Sequence, residues 1–161
     1  MISELVSYKR IDTAVDAYNC ACERLVVIGG GPESKALQAS AKSNIEFLRR
    51  QPFSSLKEQN ESCDAFEPPD IEDFGITPVE AQASGAPVIA LRAGGALETV
   101  IDNQTGLFFD DQTPDSLIDA QERFDPASFS WQVCRQHAEE FSTANFIRQY
   151  TDHVRKVLND D

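Results

Sequence analysis

Short aliphatic runs alternate with amphipathic stretches along this chain, and the alternation decides its fold class. Met1 to Leu5 reads as the tail of a strand. Ser7 is placed to cap a helix over Lys9 to about Ala21, whose inner face carries Ile11, Ala14, Val15, Ala17 and Tyr18. Leu25 to Ile28 is aliphatic throughout and ends in Gly29-Gly30-Gly31, as in a strand buried on both faces. Pro32 suits the first turn of a helix that runs to about Ala41. Ile45 to Leu48 is a third strand, a helix follows near Ser55 to Glu61, and Ala65-Phe66 is a weak fourth strand. A helix over about Gly75 to Ser84 leads into a fifth strand, Val88 to Leu91. Gly94-Gly95 opens a helix to about Ile101, Thr105 to Phe109 is a short sixth strand, and about Pro114 to Phe124 is helical. Two helices near Phe129 to Phe141 and Thr143 to Leu158 close the pattern, the last capped by Ser142. Strands that alternate with helices need crossover connections. The prediction is an α/β fold: a doubly wound, mostly parallel, Rossmann-like sheet with C-terminal helices.

Composition narrows the field. With 161 residues and 41% hydrophobic content, residues 1–161 read as one soluble domain with a sizeable core. The chain carries 14 basic and 27 acidic side chains, a formal charge of −13. That balance excludes sequence-independent nucleic-acid binding, which needs cations to displace counterions from phosphates. It also opposes docking on anionic lipid. Cys20, Cys22, Cys63 and Cys134 have no disulfide-framework density or metal-site spacing, so they are expected to be reduced thiols in the cytoplasm. No apolar run approaches the roughly 20 residues of a membrane span, and no signal-peptide core is seen.

The most informative segment is Glu72-Asp73-Phe74-Gly75-Ile76-Thr77-Pro78-Val79-Glu80. Two glutamates bracket a Phe-Gly turn at the start of a helix, where unpartnered amides and the positive end of the dipole attract anions. A phosphate at those amides and hydroxyls on the two carboxylates describe a nucleotide sugar. Thr77-Pro78-Val79-Glu80 also fits a capping box, with Pro at the first helical position. Lys9 and Arg10 stand at a helix start, where the dipole disfavours cations, a placement that makes sense beside a bound anion or for solvated side chains. Gly29-Gly30-Gly31 lacks the third glycine of a dinucleotide fingerprint, because Ser34 occupies that place. It reads as a tight strand-to-helix turn facing a cleft. Gly94-Gly95 would serve either close backbone approach to a substrate or a tight turn. Arg92 is placed at the end of a strand facing the cleft, and His137 and His153 at the surface of the last two helices.

From Tyr8 to about Leu158 the chain resembles the C-terminal, donor-binding half of a retaining glycosyltransferase of family 4, with the GT-B architecture. The resemblance runs through Tyr8-Lys9-Arg10-Ile11-Asp12, Val27-Ile28-Gly29-Gly30-Gly31-Pro32-Glu33 and Asn44-Ile45-Glu46-Phe47-Leu48. It continues through Glu72 to Gly85, Pro87-Val88-Ile89-Ala90, Gly94 to Val100 and Thr105 to Phe109. It is nearest to bacterial mannosyltransferase-like members. It implies a nucleoside-diphosphate sugar as ligand, GDP-mannose or a UDP-hexose, with no metal or other cofactor. Lys9 would neutralise the diphosphate and Glu80 would hold the ribose. Glu72 would act at the transferred sugar, with the backbone of Phe74, Gly75 and Ile76 binding sugar hydroxyls or phosphate. Transfer to a hydroxyl acceptor would proceed with retention.

The chain departs from that pattern at Glu4, where the family has a second cationic clamp, at Arg49, and at Glu67-Pro68-Pro69-Asp70-Ile71, where the family strand stays apolar. The resemblance also implies an N-terminal acceptor domain, for which the chain has no room, so the expectation is either a fragment or standalone remnant, or a separate domain or polypeptide that completes the site. Two rival readings stay open at this stage. One is a non-catalytic module that binds sugar nucleotides weakly or pairs with another protein. The other is an unrelated nucleotide-binding enzyme such as an oxidoreductase.

Overall fold

The computed structural model describes residues 1–21 and 23–159; Cys22, one of the expected thiols, lies outside them. Strands β1 (Ile2–Glu4), β2 (Leu25–Gly30) and β3 (Ile45–Leu48) form one parallel sheet in the order β1-β2-β3. Its register pairs Ile2 with Ile28 and Leu25 with Ile45. Strands β4 (Val88–Leu91) and β5 (Gly106–Phe109) pair in parallel as a second ladder, Val88 opposite Gly106. The helices are α1 (Ile11–Cys20), α2 (Ser34–Ser40), α3 (Phe53–Ser62), α4 (Ile76–Ser84), α5 (Ala96–Thr99), α6 (Pro114–Arg123), α7 (Trp131–Glu139) and α8 (Thr143–Asn159).

The two faces of β4 and β5 feed two cores, as the two-residue strand period requires. Ile89, Leu91 and Phe109 join Val15 and Ala17 of α1 and Leu117 and Ala120 of α6. Val88, Ala90 and Phe108 join Phe66, Ala81 of α4 and Val100 on the other face. The β4-β5 ladder is therefore covered on both sides, as in the doubly wound arrangement that the alternation predicts. A buried Leu or Phe of this kind contributes roughly 1.5–3 kcal/mol relative to exposure. Among the described residues, no helix is long and apolar enough to cross a membrane.

Several boundaries differ from expectation, each for a local reason. The helix predicted from Lys9 begins at Ile11. Ser7–Lys9 is a 3-10 turn, and Arg10 adopts a left-handed conformation (φ 50°) between the two, so Ser7 caps nothing in α1. The helix expected from Pro32 starts at Ser34, whose hydroxyl accepts from the Gly31 amide at 3.0 Å. The helix after Gly94-Gly95 is a single turn, ending at Thr99 rather than Ile101. The fourth strand is reduced to one parallel bridge between Phe66 and Val88. Phe66 donates to Pro87 O at 2.8 Å and accepts from Ile89 N at 2.9 Å. Pro68 and Pro69 follow at once and have no N–H to continue a ladder. Ser142 does meet the start of α8, accepting at its hydroxyl from Asn145 N at 3.4 Å.

The shortened strand buries a carboxyl group. Glu67, only 5% exposed, accepts a hydrogen bond from Gln121 Nε2 at 3.0 Å. Burial raises the pKa of Glu67, and hydrogen bonds from Gln121 and Tyr18 pull it partly back. Burial and the neighbouring Glu67 push the Tyr18 phenol upward as well, so it stays protonated and able to donate. An unfolded glutamate loses its proton near pH 4.5, whereas folded Glu67 holds it to higher pH. Stability from this group is present below the unfolded pKa and is lost as pH rises through the folded one. Glu67→Gln is therefore expected to raise Tm by a few degrees at neutral pH, with the gain vanishing below about pH 4.5. Thermal melts of both proteins across that range check it, and a gain that grows toward acid would contradict it.

Candidate functional site

Lys9 reaches the site because the chain turns sharply just after it. The left-handed Arg10 sends its own guanidinium to Asp12 (3.2 Å) and Gln112 (3.4 Å). Lys9 Nζ meets Asp70 Oδ2 at 2.9 Å and also donates to Glu72 Oε1. Two residues predicted to share a ligand, Lys9 and Glu72, are thus side by side although 63 positions apart. Lys9 is not a solvated cation at a helix start. Two carboxylates inside the molecule meet its charge. Sequence reasoning missed Asp70; the only sign of it was a charged residue just beyond the prolines that break the fourth strand.

The loop from Pro68 to Gly75 is fastened along its length. Pro68 and Pro69 are buried, and Pro69 O accepts from Gln112 Nε2 at 2.8 Å. Glu72 O accepts from Gly95 N at 2.7 Å. Phe74 sets its ring edge against Phe141, centroids 5.6 Å apart, and Phe141 lies 5.2 Å from His137 in the same manner. Gly75 then takes φ 81° as the residue before α4, a left-handed conformation open to glycine at little cost. Ile76 and Thr77 follow as the first helical residues, and no side chain caps them. The first amides of a helix have no intrahelical acceptor, so these two point a partial positive charge outward.

Because α4 starts at Ile76, the capping box read from Thr77 and Glu80 does not form. Glu80 is exposed one turn into the helix, and its backbone carbonyl accepts from Ser84 Oγ at 3.0 Å. Ile76 is exposed and Phe74 partly so, while Gly75 is buried. The arrangement offers an ammonium, two uncapped amides and the carboxylates of Asp70 and Glu72, with Glu80 exposed one turn into α4. It suits a ligand that carries both phosphate and hydroxyl groups.

Gly94-Gly95 resolves as a tight turn against the site loop. A Cβ on Gly95 would stand 2.4 Å from both Cα and O of Phe74, and one on Gly94 would stand 2.4 Å from Glu72 O. Gly29 and Gly31 pack against β1 in the same way, with Ser3 O and Leu5 O where their Cβ atoms would be. Arg92 does not face the site as an open cation. Its guanidinium binds Asp110 (2.8 Å) and Asp102 (3.1 Å), and those bonds raise its pKa further. His153 is exposed as expected, but His137 is buried against Phe141, and neither ring nitrogen has a hydrogen-bond partner. Cys20, Cys63 and Cys134 are free thiols, and that of Cys63 donates to Asn60 O at 3.4 Å. A cavity of about 820 Å³ opens elsewhere, at the amino-terminal ends of β1 and β2 around Tyr18, Cys63 and Glu67. No group of three or more potential metal ligands occurs among the described residues.

Residues 1–124 match the family model described as glycosyl transferases group 1. A GDP-mannose-dependent alpha-(1-6)-phosphatidylinositol monomannoside mannosyltransferase of Mycobacterium tuberculosis is 35% identical over 137 residues, covering 74% of this chain and 36% of that protein. In fold, the chain is similar to sucrose-phosphate synthase of Thermosynechococcus elongatus (TM-score 0.81, 23% identity, 99% of this chain and 46% of that one). It is likewise similar to Anabaena HepE, solved in complex with UDP and glucose (TM-score 0.79, 20% identity, 96% and 46%). The chain thus spans about a third of the curated relative and under half of each solved chain.

The Gly95 contact yields a stability test. Gly95→Ala drives a methyl group into the Phe74 backbone, which cannot rotate away, so a loss of about 1–3 kcal/mol is expected. Each kcal/mol lowers Tm by about 2–4 °C in a chain of this size. An unchanged melt would show that the turn and the loop are not pressed together.

Proposed function

The chain belongs to the group 1 glycosyl transferases, and on that footing we propose that it binds the donor for hexosyl transfer, a nucleoside-diphosphate sugar. The observation that carries this reading is the convergence of Lys9 and Glu72 at the uncapped start of α4. In the bound state Lys9 and the amides of Ile76 and Thr77 face the diphosphate. Glu80 accepts hydrogen bonds from the ribose hydroxyls. Glu72 and the backbone of Phe74, Gly75 and Ile76 line the sugar.

Transfer breaks the bond between the anomeric carbon and the diphosphate oxygen, which leaves with the electron pair. An acceptor hydroxyl forms the new bond on the same face and passes its proton to the departing diphosphate oxygen, so configuration is retained. The contribution of this chain is electrostatic: preorganised donors aimed at the oxygens where charge grows. A separate domain or polypeptide holds the acceptor that supplies the hydroxyl, and this chain alone is weakly active at most. The names of the relatives support GDP-mannose or a UDP-hexose as donor. A cytoplasmic setting fits the free thiols. A second reading, a sugar-nucleotide-binding module without catalysis, is favoured by one observation: two internal carboxylates already occupy the Lys9 ammonium.

Calorimetric titration of the chain with GDP-mannose, UDP-glucose and NAD tests the proposal. Saturable binding of a sugar nucleotide is expected, and none of NAD. Glu80→Ala removes hydrogen bonds to a charged group, each worth about 1.5–3 kcal/mol, and should weaken binding by about ten- to a hundredfold. A sugar nucleotide that binds equally well to Glu80→Ala would overturn the assignment of the ribose site.

A further inference from the structure

Lys9 is the cation that the donor reading assigns to the diphosphate, yet it is already held by two carboxylates of different freedom. Its side chain is 14% exposed, that of Asp70 is 6% exposed and that of Glu72 is 37% exposed. Glu72 can turn toward solvent when a ligand arrives. Asp70 cannot. The buried Pro68 and Pro69 precede it, each with φ restricted by its ring. The Pro69 carbonyl is tied to Gln112, which in turn accepts from Arg10. A diphosphate drawn to Lys9 therefore meets a fixed negative charge on the same ammonium, in partly buried surroundings where screening is weak.

The reaction changes the ligand's charge. In the donor, the outer phosphate is esterified to the sugar; in the product it is free and carries an additional ionisable oxygen. A fixed carboxylate repels the more highly charged species more strongly. We propose that Asp70 is a specificity-determining residue that shares Lys9 with the bound diphosphate, weakening every diphosphate and weakening the free nucleoside diphosphate product more than the sugar-bearing donor. Asp70 thereby favours product release at the expense of donor affinity. The inference rests on the donor-site reading, in which Lys9 faces the diphosphate.

The test is calorimetric titration of the full chain and of Asp70→Asn with UDP, UDP-glucose, GDP, GDP-mannose and inorganic pyrophosphate, at low and high salt. Asp70→Asn keeps the shape of the side chain and removes its charge. It should bind free nucleoside diphosphates and pyrophosphate about tenfold tighter, with a smaller gain, about threefold, for the sugar-bearing forms. Salt should weaken binding more steeply in the variant, because Lys9 is then less neutralised. Adding Lys9→Gln to Asp70→Asn should erase the gain, a coupling that a purely structural role for Asp70 would not produce.

Unchanged or weaker diphosphate binding in a folded Asp70→Asn overturns the proposal. If that variant does not fold, the unaltered chain still decides. Free UDP or GDP binding ten times tighter than the corresponding sugar nucleotide, with steep salt dependence, would overturn it. Tighter pyrophosphate binding by Asp70→Asn, with no sugar nucleotide bound by either protein, would support the role of Asp70 and sink the donor reading. Equal pyrophosphate binding beside saturable sugar-nucleotide binding would do the reverse. Silence from every titrant in both proteins overturns both.

Discussion

Pro68 and Pro69 offer no backbone N–H, so a strand running into them cannot go on pairing. The chain leaves the sheet directly after Phe66, which keeps a single bridge to Val88. Much of what is distinctive about the molecule follows from that early exit. The β1-β2-β3 and β4-β5 ladders share a packed core, with Leu25, Val27 and Ile45 beside Ile89, Leu91 and Phe109, rather than a continuous row of backbone bonds. Phe66 and Ile2 pack in the core cluster beside Val88. Glu67 is drawn inward to Gln121, Pro69 is pinned by Gln112, and Asp70 is set against Lys9. One backbone restriction thus places both a buried carboxyl in the core and a fixed carboxylate at the site.

That placement matters because the chain as a whole repels anions. At a net charge of −13, any affinity for phosphate must come from a few local groups. A helix dipole offers roughly 0.3–1 kcal/mol at an exposed terminus. On the donor-site reading proposed above, the Lys9 ammonium is therefore the larger asset, and its two carboxylate neighbours would decide how much of it a ligand can use. Lys9 lies close to the family pattern, whereas Asp70 falls in the stretch where this chain departs from it. The site's electrostatics are set by the departure as much as by the resemblance.

The apolar strands were legible in the sequence: β2 and β4 begin where the aliphatic runs at Leu25 and Val88 begin, and β3 begins at Ile45 although Glu46 interrupts it. Helix α6 begins at Pro114 as read, and the structure adds its cap, Thr113, whose hydroxyl accepts from Ser116 N. The left-handed turn at Arg10 was not, because nothing in its residue type announces positive φ. The burial of His137 was also hidden. A histidine followed by an alanine and two glutamates reads as a surface residue; its contact with Phe141, four residues on, is local, and α7 packs against α4. Within the site, the pairing of Glu72 with Lys9 was foreseeable from their shared assignment to one ligand. Asp70 was not, since its position depends on how two prolines bend a loop.

The loop before α4 is restrained on several sides, and this bears on what its one mobile group can do. Gly95 supports it from below, with no room for a side chain between the two backbones. Phe141 holds Phe74 from the side of the C-terminal helices, and Gln112 holds Pro69 from the start of α6. A site that stabilises developing charge works best when its dipoles need not reorganise. The Ile76 and Thr77 amides meet that condition, because the loop that positions them is anchored at both ends. Glu72 is the exception: its backbone is fixed through Gly95, while its partly exposed carboxylate is free to exchange Lys9 for solvent or a hydroxyl. On the donor-site reading proposed above, ligand entry would require the rotation of one side chain rather than the movement of a loop. The energetic contest narrows to a single ammonium, for which Asp70 competes from a fixed position and Glu72 from a movable one.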